Sequence, residues 1–239
     1  MLGVIRKEWR AYFVTPMGYV FIAIFWLLGA AFFFLYNIVA ATANLSSLFG
    51  NLSYLFMLIV PLLTMRLLSE ERRQKTDQLF YCAPVSLWAV VAGKFLAAMG
   101  VLGISLAGTG LYLLILARYA ALSWGGVLAH YLAFWLLGGS YIAVGLFMSA
   151  LTDSQITAAV LTLAANMLLQ LAEMSSATIV TPYLPFLPAL MKGIALSRRY
   201  AQIASGVIYP TDIGYFLLFS ILFLCASVCV LALRRSKRR

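Results

Sequence analysis

The fold of this chain is decided by a short polar stretch, residues 65–86, which reads MRLLSEERRQKTDQLFYCAPVS. Its charged side chains include three of the seven acidic residues of the chain and several basic ones: Glu70, Glu71, Asp77, Arg66, Arg72, Arg73 and Lys75. Long apolar runs precede and follow the stretch. Because lipid does not solvate charged side chains, a stretch with this many charges must lie in water. The pattern therefore predicts a water-exposed loop between two membrane spans.

The composition of the whole chain is that of an integral membrane protein. Of 239 residues, 64% are hydrophobic and only 10% are charged, and the mean hydropathy is +0.99. That leaves too little polar surface to cover a soluble globular protein. The apolar runs are continuous and do not alternate with polar residues, which favours an all-α integral membrane protein over a β-barrel.

Six apolar segments approach or exceed the length of about 20 residues that a spanning helix needs. We predict spans near residues 17–39, 52–68, 88–117, 127–151, 155–173 and 213–233. Residues 44–51 then form a short outer loop between the first two spans. Pro61 lies in the second span, where the missing backbone donor bends a helix, and it is either a hinge or an ordinary packing position.

Residues 1–16 are predicted as a helix that lies in the membrane interface. Two sets of side chains fall on opposite faces of such a helix, an apolar set of Leu2, Ile5, Trp9, Tyr12 and Phe13 and a polar set of Lys7, Glu8 and Arg10. This separation is typical of a helix that rests its apolar face on the inner leaflet of the bilayer.

The fifth span carries small or polar side chains along one face, at intervals of three or four residues: Gln155, Ala159, Thr162, Asn166, Gln170 and Glu173. Lipid does not solvate such a face, so it turns toward protein or water. We predict either a translocation path formed by Thr162, Asn166, Gln170 and Glu173 or a seam of hydrogen bonds between helices.

The segment that follows, residues 174–212, contains four prolines and an apolar run too broken to span the bilayer as one straight helix. A re-entrant or interfacial pair of short helices on the outer face fits it best.

The distribution of basic residues predicts the sidedness of the chain. In the six-span topology, thirteen of the seventeen Lys and Arg residues lie on the side of both termini, which is therefore cytoplasmic. Because these residues flank the apolar segments, they meet anionic lipid head groups. The same clustering argues against nucleic acid as the partner for the net charge of +10.

No catalytic or metal site is expected in this chain. The single histidine, His130, has no Cys, Asp or Glu at the spacing of metal ligands, and no nucleophile lies beside a base. The sequence contains no GxxxxGK[ST] phosphate-binding loop, so we expect neither an enzyme nor ATP binding here. Cys82, Cys225 and Cys229 form no disulfide framework and are predicted as packing residues.

Four segments resemble the permease subunits of ABC-2 type transporters, and the gliding-motility-associated (GldF-like) group most closely. They are IVPLLTMRLLSEERRQKTDQLFYCAPVS at 59–86 with GKFL at 93–96, KEWRAYFVTPMGYV at 7–20, GLFMSALTDSQITAAV at 145–160 and SGVIYPTD at 205–212. Lys75 departs from the group, which commonly carries glycine there. The resemblance covers nearly the whole chain and implies a single transmembrane domain over residues 1–239.

The resemblance also implies roles and partners. Residues 1–16 correspond to the connecting helix, 69–85 to a cytoplasmic coupling helix that docks on a separate ATP-binding subunit, and 174–212 to re-entrant outer helices. The expected docking residues are Glu70, Glu71, Arg72, Arg73, Thr76, Asp77, Leu79 and Phe80, with a second contact at Asp153, Ser154 and Gln155. ATP and Mg²⁺ bind the partner subunit, and a second permease chain, identical or sister, completes the assembly in a bacterial inner membrane.

The residues alone leave alternatives open. The charged loop is a docking segment or a solvated linker, and docking is favoured because Leu79, Phe80 and Tyr81 form an apolar run that a linker does not need. A non-transporting membrane anchor, or mechanical transducer, could use the same ATPase. An ion-coupled carrier would depend on Glu173, the one acidic residue within the predicted spans.

Overall fold

The computed structural model describes residues 2–42, 45–73, 86–119, 123–178 and 196–237, although not the side chains of 2, 172–178 and 237. Within these ranges the chain is helical and has no strand. The helices are α1 Leu2–Val14, α2 Pro16–Phe33, α3 Leu45–Thr64, α4 Ser69–Arg73, α5 Leu87–Tyr119, α6 Trp124–Leu151, α7 Gln155–Thr178, α8 Leu196–Ala204 and α9 Pro210–Lys237. A π-helical segment, Phe34–Val39, extends α2.

Five of these helical segments are long and apolar enough to cross a membrane: Pro16–Val39, Leu45–Arg73, Leu87–Tyr119, Trp124–Leu151 and Pro210–Ser236. The chain is therefore a multi-pass membrane protein. The fifth predicted span corresponds to α7, which is apolar over Gln155–Leu171, the part of the helix whose side chains the structure describes. Its helical backbone continues to Thr178, and whether the predicted fifth span crosses the membrane stays a prediction.

The outer loop predicted over 44–51 is wrong from Leu45 onward, because α3 begins there. Leu45, Leu48 and Phe49 are at most 9% exposed and recur at helical spacing, so the segment has a core-facing side. The Phe49 ring lies 5.9 Å from that of Phe134 on α6. Burial of these side chains outweighs the loop propensity of the intervening serines.

The centre of the bundle is formed by α3 and α6. In their most apolar windows 61% and 72% of residues are buried, against 28% for both α2 and α9. α6 packs against α3, α5, α7, α8 and α9. The two outermost spans therefore present broad apolar surfaces, which face lipid or another chain.

The N-terminal helix α1 packs mainly on α5. At Gly100, the missing side chain leaves space that the Trp9 ring fills, since a Cβ there would lie 1.9 Å from Trp9 Cζ3. The prediction that Glu8 lies on a solvated polar face is wrong, because Glu8 is only 8% exposed. The Glu8 carboxylate is buried because it pairs with the ammonium group of Lys94 on α5.

Candidate functional site

The most highly charged part of the described structure is one end of the bundle. We call it the charged end. It is formed by α1 and α4 together with the first turns of α5 and α7 and the last turns of α6 and α9. Lys94 of α5 is the centre of its buried part, with a side chain 1% exposed. Its Nζ lies 2.9 Å from Glu8 Oε1 of α1 and 2.9 Å from Glu71 Oε2 of α4.

Two further ion pairs surround this cluster. Glu71 also contacts Lys7 Nζ at 3.3 Å, and the Lys7 side chain is 62% exposed. Glu70 accepts hydrogen bonds from Arg66 with both carboxylate oxygens, one of them at 2.7 Å from Nη2. Such bidentate pairs fix geometry as well as charge, so α4 is held against α1, α5 and the end of α3.

The other side of α4 is joined to the turn between α6 and α7. Arg72 Nη1 lies 3.1 Å from Asp153 Oδ1 and donates to the Thr152 carbonyl oxygen at 3.3 Å. Arg234 of α9 contacts the same Asp153 oxygen at 3.5 Å and donates to the Leu151 carbonyl oxygen at 2.7 Å. The two segments that the sequence predicts as docking contacts therefore touch each other.

The start of α4 is anchored by a serine of α6. Ser149 Oγ lies 3.1 Å from both the Leu68 and Ser69 backbone nitrogens, whose N–H groups donate to it. Ser149 in turn donates to the Met65 carbonyl oxygen at 3.3 Å. Backbone groups at a break between helices need such partners when they are buried.

The predicted docking residues fall into three groups. The side chains of Glu70, Glu71, Arg72 and Asp153 form the ion pairs described above, whereas Arg73 and Ser154 are exposed. Ser154 also accepts a 3.5 Å hydrogen bond from the Thr157 backbone and so caps α7, with Gln155 half-buried beside it. Four more lie outside the described residues: Thr76, Asp77, Leu79 and Phe80.

The polar stripe of α7 faces the interior of the chain. Thr162 and Asn166 are 0% exposed. Thr162 Oγ1 donates within its own helix to Ala158, whereas Gln170 Oε1 accepts hydrogen bonds from Tyr141 at 3.5 Å and Ser197 at 3.0 Å. The Glu173 side chain lies outside the described residues, and both interpretations of the stripe stay predictions.

Pro61 lies inside α3 without ending it. The residue is buried, and its carbonyl oxygen accepts a 2.9 Å hydrogen bond from the Met65 backbone. The helix ends one turn later at Thr64. Its role as a hinge stays a prediction.

The end of α3 is also fixed by Tyr12 of α1. Its buried hydroxyl donates to the Leu63 carbonyl oxygen at 2.9 Å. Burial raises the pKa of Tyr12 well above its usual range, and the nearby Glu8 carboxylate adds to the rise. The hydroxyl therefore stays protonated and can donate this bond throughout the neutral range.

We expect Tyr12→Phe to lower the free energy of unfolding by about 1–3 kcal/mol, because a buried carbonyl loses its donor. Tyr200→Phe is the matched control, since Tyr200 is 6% exposed and its hydroxyl has no hydrogen-bond partner within the described ranges. We expect that control to change stability by less than about 0.5 kcal/mol. Thermal unfolding in detergent measures both, and equal losses would contradict the assignment.

Sequence reasoning missed Lys94, Glu8, Ser149 and Tyr12 as parts of the charged end. One signal was available for Lys94, which stands inside an otherwise apolar helix and must find a counter-charge there. The sequence does not say which acidic residue supplies it. No group of three or more His, Cys, Asp or Glu side chains that could bind a metal ion occurs within the part of the chain that the structure describes.

Comparison with known proteins identifies the family. A search of curated proteins gave no match. The family model for the ABC-2 family transporter protein matches residues 36–229. The matched region contains α3 to α8 and most of α9, and so includes α4, the Asp153 turn and the polar stripe. The chain therefore belongs to the ABC-2 family of transporter proteins.

Proposed function

We propose that this permease couples ATP hydrolysis by a separate ATP-binding subunit to export, or to another conformational change, across the membrane. The observation that carries the proposal is the Arg72–Asp153 ion pair. It joins the start of the predicted coupling segment, 69–85, to the predicted second contact at 152–155. A partner that docks on one of these segments is then positioned to touch the other.

The ion pairs of the charged end provide the mechanical connection. α4 is tied to α5 through Lys94, to α6 through Ser149, and to α9 through the contact that Asp153 makes with Arg234. Movement of α4 is therefore transmitted to three long apolar helices together. Packed elements with discrete arrangements convert such a displacement into a change between two states, and Pro61 is the candidate hinge.

The predicted docking residues have two different roles in this proposal, according to whether their side chains are buried in ion pairs or exposed. We assign Glu71 and Arg72 to transmission, because their side chains are only 14% and 6% exposed. Arg73 and Asp153 present exposed charge to the partner, together with Thr76, Asp77, Leu79 and Phe80 beyond the described helix. ATP and Mg²⁺ are bound by the partner, as the absence of a phosphate-binding loop in this sequence suggests.

We further propose six spans with both termini in the cytoplasm of a bacterial inner membrane. Contacts of α1, Asp153 and Arg234 place the first helix, the α6–α7 turn and the last turns of α9 at the same end of the bundle. The basic residues of that end are typical of the cytoplasmic side. Membership of the gliding-motility-associated group rests on the sequence segments quoted above.

A second permease chain, identical or sister, is the expected partner within the membrane. α2 and α9 each leave most of their apolar windows unburied in this chain. Side chains such as Leu27 and Leu218 are 68% and 66% exposed. Lipid can cover such apolar faces, so their exposure alone does not require a partner. We propose that part of this surface packs against the second chain and that lipid covers the rest.

To test docking, we expect Arg73→Glu to reduce co-purification of the ATP-binding subunit and coupled ATPase activity by about tenfold, which corresponds to about 1.4 kcal/mol of binding free energy. The change reverses an exposed charge and leaves the internal ion pairs intact. The matched control is Arg118→Glu, an exposed arginine at the opposite end of α5, with no expected effect. Retention of full coupling by Arg73→Glu would argue that the segment is a solvated linker.

A further inference from the structure

The interior contains a buried carboxamide, that of Asn166, which has no hydrogen-bond partner among the described residues. Asn166 of α7 is 0% exposed, and neither its amide nitrogen nor its amide oxygen has a partner within the described residues. A carboxamide has two donor hydrogens and one acceptor oxygen, and burying it unpaired is destabilising. Native structures contain only a few such groups, so each of them needs a physical explanation.

The immediate neighbours of Asn166 along the stripe show that it is an exception. One turn before it, the Thr162 hydroxyl donates to its own helix at 2.7 Å. One turn after it, the Gln170 oxygen accepts from Ser197 of α8 at 3.0 Å. The same helix face therefore satisfies the polar groups on both sides of Asn166.

The unpaired amide is enclosed by protein and does not face lipid. α7 packs against α3, α6 and α8. Its opposite face carries exposed apolar side chains such as Leu168, which is 66% exposed. Asn166 therefore lies in the seam between α7 and its neighbours, where separation of the helices would expose it.

Polar contacts hold this seam closed near both ends. Asp153, just before α7, pairs with Arg72 and Arg234. Toward the other end, Gln170 bonds to Tyr141 of α6 as well as to Ser197. Such contacts can be exchanged for water at modest net cost. Asn166 lies between them and has no hydrogen bond to a described residue that it would lose on opening.

We propose that the Asn166 amide is a water-binding site in a second conformation, in which α7 separates from α3 and α6. The amide then donates to and accepts from water, whereas in the closed conformation described here it is enclosed by protein. The site is intrinsic to the packing of this chain. Only the identification of ATP as the trigger rests on the function proposed above.

The test is the reactivity of a cysteine at position 166 with a charged, water-soluble thiol reagent. Cys82, Cys225 and Cys229 are first replaced by alanine, and the full-length chain is assayed in inside-out vesicles that contain its ATP-binding subunit. Ser140→Cys is the matched control, because Ser140 is equally buried but donates to its own helix at 3.3 Å. Leu168→Cys reports the lipid-facing side.

We expect Asn166→Cys to react at least tenfold faster than Ser140→Cys during ATP turnover, and Leu168→Cys to react only with a membrane-permeant reagent. Reaction of Asn166→Cys that is equally fast without ATP would support the water site and contradict ATP as its trigger. A rate no higher than that of Ser140→Cys in every condition would overturn the water site.

A second variant separates this site from a merely structural seam. If the amide is unsatisfied in the closed state, Asn166→Leu raises the Tm by about 2–4 °C, the shift typical of 1 kcal/mol in a chain of this size, and lowers coupled ATPase activity at least fivefold. A higher Tm with unchanged ATPase activity would support the unsatisfied amide and contradict its coupling to ATP hydrolysis. A lower Tm would overturn the proposal, because the amide would then be satisfied in the closed state.

Discussion

Replacement of Lys94 by methionine is expected to lower the free energy of unfolding by about 3–5 kcal/mol, the cost typical of removing one partner from a buried ion pair. The variant keeps the length of the side chain but removes the charge that lies 2.9 Å from both Glu8 and Glu71. Two carboxylates are then left close together with little solvent around them. Urea or thermal unfolding in detergent micelles measures the loss.

The control for this prediction is Lys7→Met on the same network. Lys7 also contacts Glu71, but its side chain is 62% exposed, so solvent screens the pair. We expect a loss of about 0–1 kcal/mol, as for exposed ion pairs in general. Adding Glu8→Gln to Lys94→Met should recover part of the stability by removing one of the unpaired charges. Equal losses for Lys94→Met and Lys7→Met would contradict a buried network.

The second large effect is expected for Gly145→Ala, where α6 crosses α3. A Cβ at this position would lie 2.3 Å from Thr64 Oγ1 and 2.7 Å from Thr64 Cβ. Thr64 is branched at Cβ and 0% exposed, so it has little freedom to move away. Overpacking of this kind costs about 1–3 kcal/mol, and separation of the helices would also strain the hydrogen bonds of Ser149 to α4.

The matched control is Gly103→Ala on α5. No heavy atom lies within 4 Å of a Cβ built there, apart from the chain neighbours and the backbone of its own helix. Alanine is favoured over glycine in a helix by up to about 1 kcal/mol, so this variant should be neutral or slightly stabilised. Thermal unfolding distinguishes the two glycines, and a tolerated Gly145→Ala would show that the helices do not approach this closely.

The spans were predictable because the signal for them is local. A run of apolar residues must enter lipid or a core whichever partner it finds, and the helices around residues 17–39, 88–117 and 127–151 follow the predicted ranges closely. Residues 45–51 were missed because Ser46, Ser47 and Asn51 suggest a loop. The burial of Leu48 and Phe49, which overrides that signal, depends on α6.

The charged end was predictable only in part, because its contacts join residues far apart in the chain. Glu71, Arg72 and Asp153 were each identified from polar segments between apolar runs. Arg72 and Asp153 are 81 residues apart and Glu8 and Lys94 are 86 apart, so spacing along the chain does not indicate either pair. Packing of α1 on α5, which depends on residues such as Gly100 and Trp9, decides where Glu8 lies.

The Glu8–Lys94 pair bears on how pieces of this protein can be exchanged with those of its relatives. The family match begins at residue 36, whereas one of the two carboxylates beside Lys94 comes from residue 8. A chimaera that grafts only the matched region onto another member would inherit a buried ammonium group with half of its counter-ions. The N-terminal helix and the first turns of α5 should therefore be transferred together when a chimaera is made.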